Sequence, residues 1–221
     1  MAIKGNIEVS CPKGCDAREV EVWSFVRGDK DAELRESLLA GELNLLVCED
    51  CGALFYPEVS MVYCDPPAAI LIFSFPESYK SDEARWRQKM REDYEHMRAV
   101  FADNHMLDVE PILVFGLEPL RNMLRQDDEM EDEVRIAEHL AKNLRLKVIG
   151  TERAYAREHK LPWRLPCAVG DGRPTLVAAV AGLKAILKAN PRLSGYRRWL
   201  KTIETVGSLP PFDQRSGVMA K

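Results

Sequence analysis

Polar and apolar residues alternate from Glu19 to Val26, in Glu-Val-Glu-Val-Trp-Ser-Phe-Val, which is the period of a half-buried strand. Ile7 to Ser10 predicts a short strand before it, and Leu43 to Val47 another after it. Between them, Leu34, Leu38 and Leu39 share one face of a helix that Asp29 or Asp31 can cap and Gly41 can end. Leu54 to Tyr63 and Ala69 to Phe75 read as two further strands, parted by a turn at Asp65-Pro66-Pro67. After Pro76 to Lys80 the period lengthens. Ser81 can open a long helix whose stripe is Trp86, Met90, Tyr94, Met97 and Phe101. Ile112 to Phe115 predicts a short strand and Leu117 to Leu124 a helix. The acidic run Asp127 to Glu133 predicts the start of another helix, where carboxylates suit the positive end of the dipole. Thr151 to Lys160, a segment from Pro174 or Thr175 to Ala189, and Tyr196 to Val206 predict three more helices. The tail after Leu209-Pro210-Pro211 is expected to be loose. The expected class is α+β: a small antiparallel sheet with an inserted helix, then a mainly helical C-terminal part. The change of period places the division at 1–78 and 79–221, with 151–206 a basic helical extension.

Four of the six cysteines fall in two close pairs, Cys11-Pro-Lys-Gly-Cys15 and Cys48-Glu-Asp-Cys51-Gly52. Such pairs present two thiolates from one tight turn, and two pairs can complete a tetrahedron around zinc. The gap between them exceeds that of a minimal zinc ribbon, so the inserted helix fits there. No histidine or glutamate sits at ligand spacing beside either pair. The expectation is one structural zinc ion per chain on Cys11, Cys15, Cys48 and Cys51, with no open position for catalysis. A disulfide framework is disfavoured because no secretory leader precedes the cysteines.

With those pairs placed, residues 7–75 resemble the CpXC domain, a bacterial and archaeal family named for its Cys-Pro-x-Cys motifs. The resemblance rests on Cys11-Pro12, Glu21-Val22-Trp23-Ser24, Leu38-Leu39-Ala40-Gly41-Glu42-Leu43-Asn44 and Cys48 to Gly52. Pro57 with Met61 to Asp65 continues it, and Val114 to Leu120 resembles a later region, extending the likeness to about residue 145. The chain departs from the pattern in the extra Gly14 and in Glu49, where the family name expects proline. The resemblance implies a zinc-ribbon-like fold and says little about activity.

The 221 residues are 46% hydrophobic and 30% charged, ordinary for a globular protein, and no apolar run is long enough to span a bilayer. The cytoplasm is the expected location. The net charge of −4 conceals a segregation. Residues 1–140 carry 15 Lys+Arg against 30 Asp+Glu, whereas 141–201 carry 14 against 3. Such asymmetry implies charge pairing within the protein, self-association, or a polyanionic or protein partner.

Lys184, Lys188, Arg192, Arg197, Arg198 and Lys201 form the candidate partner surface, with Tyr196 and Trp199 among them. Cations there can track phosphates, and exposed aromatics can stack on bases. Against this, both aromatics fall on the helix's apolar stripe, which favours the core. A third reading docks this face on the acidic run Asp127 to Glu133. Gly170-Asp-Gly-Arg-Pro-Thr175 lacks the P-loop pattern and reads as an ordinary loop. Cys64 and Cys167 stand alone; Cys64 is the candidate nucleophile if the protein is an enzyme with a site between its parts. His96, His105, His139 and His159 are not paired at ligand spacing. The preferred reading is a zinc-binding protein that binds or scaffolds, with nucleic-acid binding and enzyme activity as alternatives.

Overall fold

The computed structural model describes residues 2–100, 109–168 and 174–213. The chain divides into two compact units, Met1–Leu124 and Arg125–Lys221.

The first unit is built on β1 (Ile3–Val9), β2 (Arg18–Arg27), β5 (Met61–Asp65), β6 (Ile70–Phe75) and β7 (Ile112–Phe115), which lie side by side in that order. The sheet is mixed. β1/β2 and β5/β6 are antiparallel, as short turns require, while β2/β5 and β6/β7 are parallel. Parallel neighbours need long connections. The first holds α1 (Ala32–Ala40) and a separate hairpin of β3 (Leu46–Val47) and β4 (Leu54–Phe55). The second begins with a 3-10 helix (Glu77–Asp82) and α2 (Glu83–Val100).

Alternation along the strands sends side chains to two cores. Val26, Tyr63, Ile72 and Val114 pack with Leu38 of α1 and with Leu120 and Leu124 of α3 (Glu118–Asn143). Phe73, Phe75 and Cys64 pack on the other face with Met90, Trp86 and Tyr94 of α2. The sheet thus lies between α1 with the first turns of α3 on one side and α2 on the other.

The second unit pairs β8 (Lys147–Gly150) antiparallel with β9 (Arg164–Cys167), with α4 (Arg153–Glu158) between them. α5 (Leu176–Ala189) and α6 (Ser194–Val206) follow. Leu165, Leu183, Ile186, Tyr196, Trp199 and Ile203 form its core with Ala137 and Ala141 of α3. Gly182 lets α5 press against β9: a Cβ there would stand 2.3 Å from the Pro166 carbonyl oxygen.

The α+β class holds, with a small N-terminal sheet and helices dominating the C-terminal part. Several details differ from the sequence reading. Leu117–Leu124 and the helix from Asp127 are one helix, α3, because no glycine or proline interrupts Leu120 to Asn143. The acidic run therefore lies in mid-helix, away from the dipole's positive end. Leu54–Tyr63 is broken at Pro57 into β4 and β5. β8 and β9 were not expected; Pro166 in β9 masks its strand pattern, though a two-stranded sheet tolerates it. Asp31 precedes α1 but its carboxylate makes no capping bond and instead accepts from the Arg27 N–H. Phe101, His105, Gly170–Arg173 and the tail beyond Asp213 lie outside the described residues. Among the described residues, no helix is long and apolar enough to cross a membrane.

Candidate metal centre

The two cysteine pairs sit in two hairpin turns. Cys11 and Cys15 occupy the turn between β1 and β2; Cys48 and Cys51 occupy the turn between β3 and β4. In each turn a glycine takes a left-handed conformation, Gly14 at φ +81° and Gly52 at φ +69°. Their N–H groups close the turns onto the carbonyls of Cys11 (2.9 Å) and Cys48 (2.8 Å). Nothing lies within 4 Å of where a Cβ would stand on either glycine. Backbone conformation, not crowding, is what demands glycine there. Gly14, the extra residue of the first motif, is thus the residue that lets the longer turn close.

The four thiol sulfurs all lie within 4.8 Å of one another, and no other group of metal-ligating side chains assembles among the described residues. Cys11 Sγ and Cys51 Sγ, from different turns, are 3.6 Å apart. The Lys13 N–H points at Cys11 Sγ at 3.4 Å. Cys11 and Cys48 are buried, Cys15 is half-buried and Cys51 exposed. The N–H groups of Cys51 and Asp50 aim at the Cys48 sulfur and lower its pKa to about 7. Cys15 is pushed up to about 12, first by its hydrogen bond with the Cys51 thiol and then by Cys48. A cation that binds such crowded sulfurs displaces the protons they retain. The four cysteines are therefore positioned to hold a metal ion.

A family model for the CpXC protein matches residues 9–145. The chain belongs to the CpXC family. No curated protein and no solved structure matches it. The matched span takes in both cysteine turns, four of the five sheet strands (β2, β5, β6 and β7) and all of α3. The structure also accounts for two of the motif segments in the CpXC region. Asn44, itself at φ +60°, accepts a hydrogen bond from Trp23 N–H (2.8 Å) and donates one to Trp23 C=O (2.9 Å). Its side-chain amide stands in for a neighbouring strand and ties the segment leading to the second cysteine pair onto β2. Further along, Ser74 Oγ donates to the Gly116 carbonyl (2.9 Å), fixing the start of the Val114–Leu120 segment.

Arg18, at the start of β2, reaches across to Glu49 and Asp50 in the second cysteine turn. These groups are solvent-exposed, so the pairing orients the turns and adds little stability. Sequence reading missed Arg18 because it lies 31 residues from Glu49 and in no motif.

The remaining candidates stand apart from this centre. Cys64 is fully buried, and desolvation pushes its thiol up to about 11 despite nearby Arg27. Cys167 is likewise buried and raised to about 11. Neither has the accessible thiolate that a nucleophile needs. His96 and His139 are exposed on their helices, and His159 stacks on Tyr155. On α5 and α6, Lys184 pairs with Glu204 at 3.5 Å. Arg197 donates to the Pro191 carbonyl, and Arg198 to the Lys160 carbonyl at 3.0 Å. Lys188, Arg192 and Lys201 are exposed. Tyr196 and Trp199 are fully buried, so neither offers a face to a base. The acidic run is met by other groups: Arg157 holds Asp127 at 2.8 Å, and Trp163 Nε1 donates to Glu131 at 2.9 Å.

Proposed function

We propose that the four cysteines hold one structural zinc ion and that the protein is a binding or scaffolding protein of the cytoplasm, where thiols stay reduced. The convergence of four thiols from two hairpin turns carries this reading. A tetrahedral zinc with bonds near 2.3 Å sets its sulfurs about 3.8 Å apart. The 3.6 Å separation across the two turns is close to that spacing. Four protein sulfurs leave no position for water or substrate, so the ion serves folding, not chemistry. Cys64 and Cys167 are buried, so neither offers an accessible thiol as a nucleophile.

The test is metal analysis of untagged protein by mass spectrometry, before and after Cys48→Ser and Cys51→Ser. One zinc per chain, lost in both variants, is the expected result. Substoichiometric metal in freshly prepared reduced protein overturns the zinc reading.

A further inference from the structure

The hairpin that carries the second cysteine pair has an uncovered apolar face. Val47 and Leu54 stand directly opposite one another in the β3/β4 register, so their side chains share a face. They are 62% and 64% exposed. Tyr56, two residues beyond Leu54, is 45% exposed. Single exposed apolar residues are ordinary, but a run of them on one short hairpin is a patch. Tyr56 also lines a cleft of 550 Å3, in the size range that accepts a side chain or small ligand. Met61, Phe75 and Phe115 supply apolar lining, and exposed Glu58 and Glu77 lie at its border.

The segment that carries this face is acidic, although Arg18 of β2 holds two of its carboxylates, Glu49 and Asp50. Residues 31–79 hold nine carboxylates and a single cation, Arg35. Of the two cations lining the cleft, Arg121 is held by Glu118; Lys80 is the other. Glu58 and Glu77 have no ion pair among the described residues. An apolar centre with a carboxylate border selects a partner that offers apolar anchors between cations, and it repels nucleic acid.

We propose that the Val47–Leu54–Tyr56 face and the adjoining cleft dock an extended peptide segment of another protein, one that alternates apolar residues with Lys or Arg. This rests on the binding-protein reading above. Apolar side chains of the segment cover Val47 and Leu54, one enters the cleft beside Tyr56, and the cations meet Glu58 and Glu77.

The test uses the full chain in its metal-loaded form and two labelled peptides of equal length, one alternating Leu and Arg and one alternating Leu and Glu. Fluorescence anisotropy is expected to show binding of the first and not the second. Val47→Ser with Leu54→Ser, and separately Glu58→Gln with Glu77→Gln, are each expected to weaken binding at least tenfold. All four side chains are solvent-exposed, so the variants are expected to fold; circular dichroism and zinc content are measured on the same samples. Hydrogen exchange is expected to slow over residues 46–59 when the Leu-Arg peptide binds. Equal affinity for both peptides, or affinity unchanged in both double variants, overturns the proposal. Concentration-dependent dimerisation abolished by Val47→Ser with Leu54→Ser also overturns it, since the occupant is then a second copy. Normal zinc content with failed docking removes this inference alone; absent zinc removes the metal reading alone.

Discussion

Glu133 caps a helix that begins 61 residues after it. Its carboxylate accepts from Ser194 N (2.9 Å), from Ser194 Oγ (2.8 Å) and from Gly195 N (2.8 Å), at the start of α6. Leu193, the residue in the capping position, has no side chain able to do this. A carboxylate at a helix N-terminus satisfies orphan donors and complements the dipole. Glu133→Ala is expected to cost about 1–2 kcal/mol, by analogy with loss of a local cap. Glu133→Gln is expected to recover part of this. Urea unfolding checks both, and equal stability of wild type and Glu133→Ala contradicts the capping role.

Gly182 is expected to be intolerant of alanine. The added Cβ would meet the Pro166 carbonyl oxygen at 2.3 Å and Cys167 Cα at 2.8 Å, both backbone atoms that cannot swing aside. Overpacking of this kind costs about 1–3 kcal/mol, and occasionally more. Alanine's better helix propensity, worth about 1 kcal/mol, offsets only part of it. A lower thermal midpoint for Gly182→Ala is the expected observation; an unchanged or raised midpoint shows that α5 can move off β9.

Asp29 and Arg27 form a two-pronged pair at the end of β2, with Nε and Nη2 each 2.7 Å from a carboxylate oxygen. Both side chains are largely buried, at 8% and 17% exposure. The hydrogen bonds from Arg27 hold the Asp29 carboxyl below its usual pKa. A depressed folded-state pKa stabilises fully above the unfolded value, near 4, and the benefit disappears as pH falls through the folded value. Asp29→Asn is therefore expected to lower stability at pH 7 by about 1.5–3 kcal/mol. Its difference from wild type is expected to shrink below pH 4 in denaturant titrations. A difference independent of pH rules out the charge as its source.

Chelation is expected to act locally first. Removing the proposed ion is expected to free the two cysteine turns, so amides that close them, Gly14, Cys48 and Gly52, should exchange faster. Amides of α5 and α6, in a unit with its own core, should keep their protection. Hydrogen exchange with and without chelator separates this from global unfolding, in which all of these amides accelerate together.

The cysteine cluster was the most legible part of the sequence, because ligand spacing within a tight turn is a local property. Cys11, Cys15, Cys48 and Cys51 needed no knowledge of the fold to be grouped. The elements with strong periods, β2, α2, α5 and α6, were legible for the same reason. Pairing between distant strands was not. Nothing local tells Phe25 that its neighbour is Val62 and that the two strands run parallel. Asn44 was visible only as part of a motif; its amide pairing with Trp23 depends on a left-handed backbone that asparagine tolerates better than most residues. The acidic run was misplaced because carboxylates suit a helix start. Here they serve instead as acceptors for Arg157, Trp163 and the α6 N-terminus, partners that only tertiary structure supplies.

β2 and β5 are hydrogen-bonded neighbours, yet the chain between them makes α1 and the whole β3–β4 hairpin. That excursion leaves the sheet and returns to the adjacent place in it. The exposed positions of that excursion, Val47 and Leu54 among them, can therefore change while Leu38, Asn44, Cys48 and Cys51 keep it anchored to the sheet and to the first cysteine turn. A protein built this way can acquire new binding preferences by rewriting the outward positions of one connection while its folding frame is inherited intact.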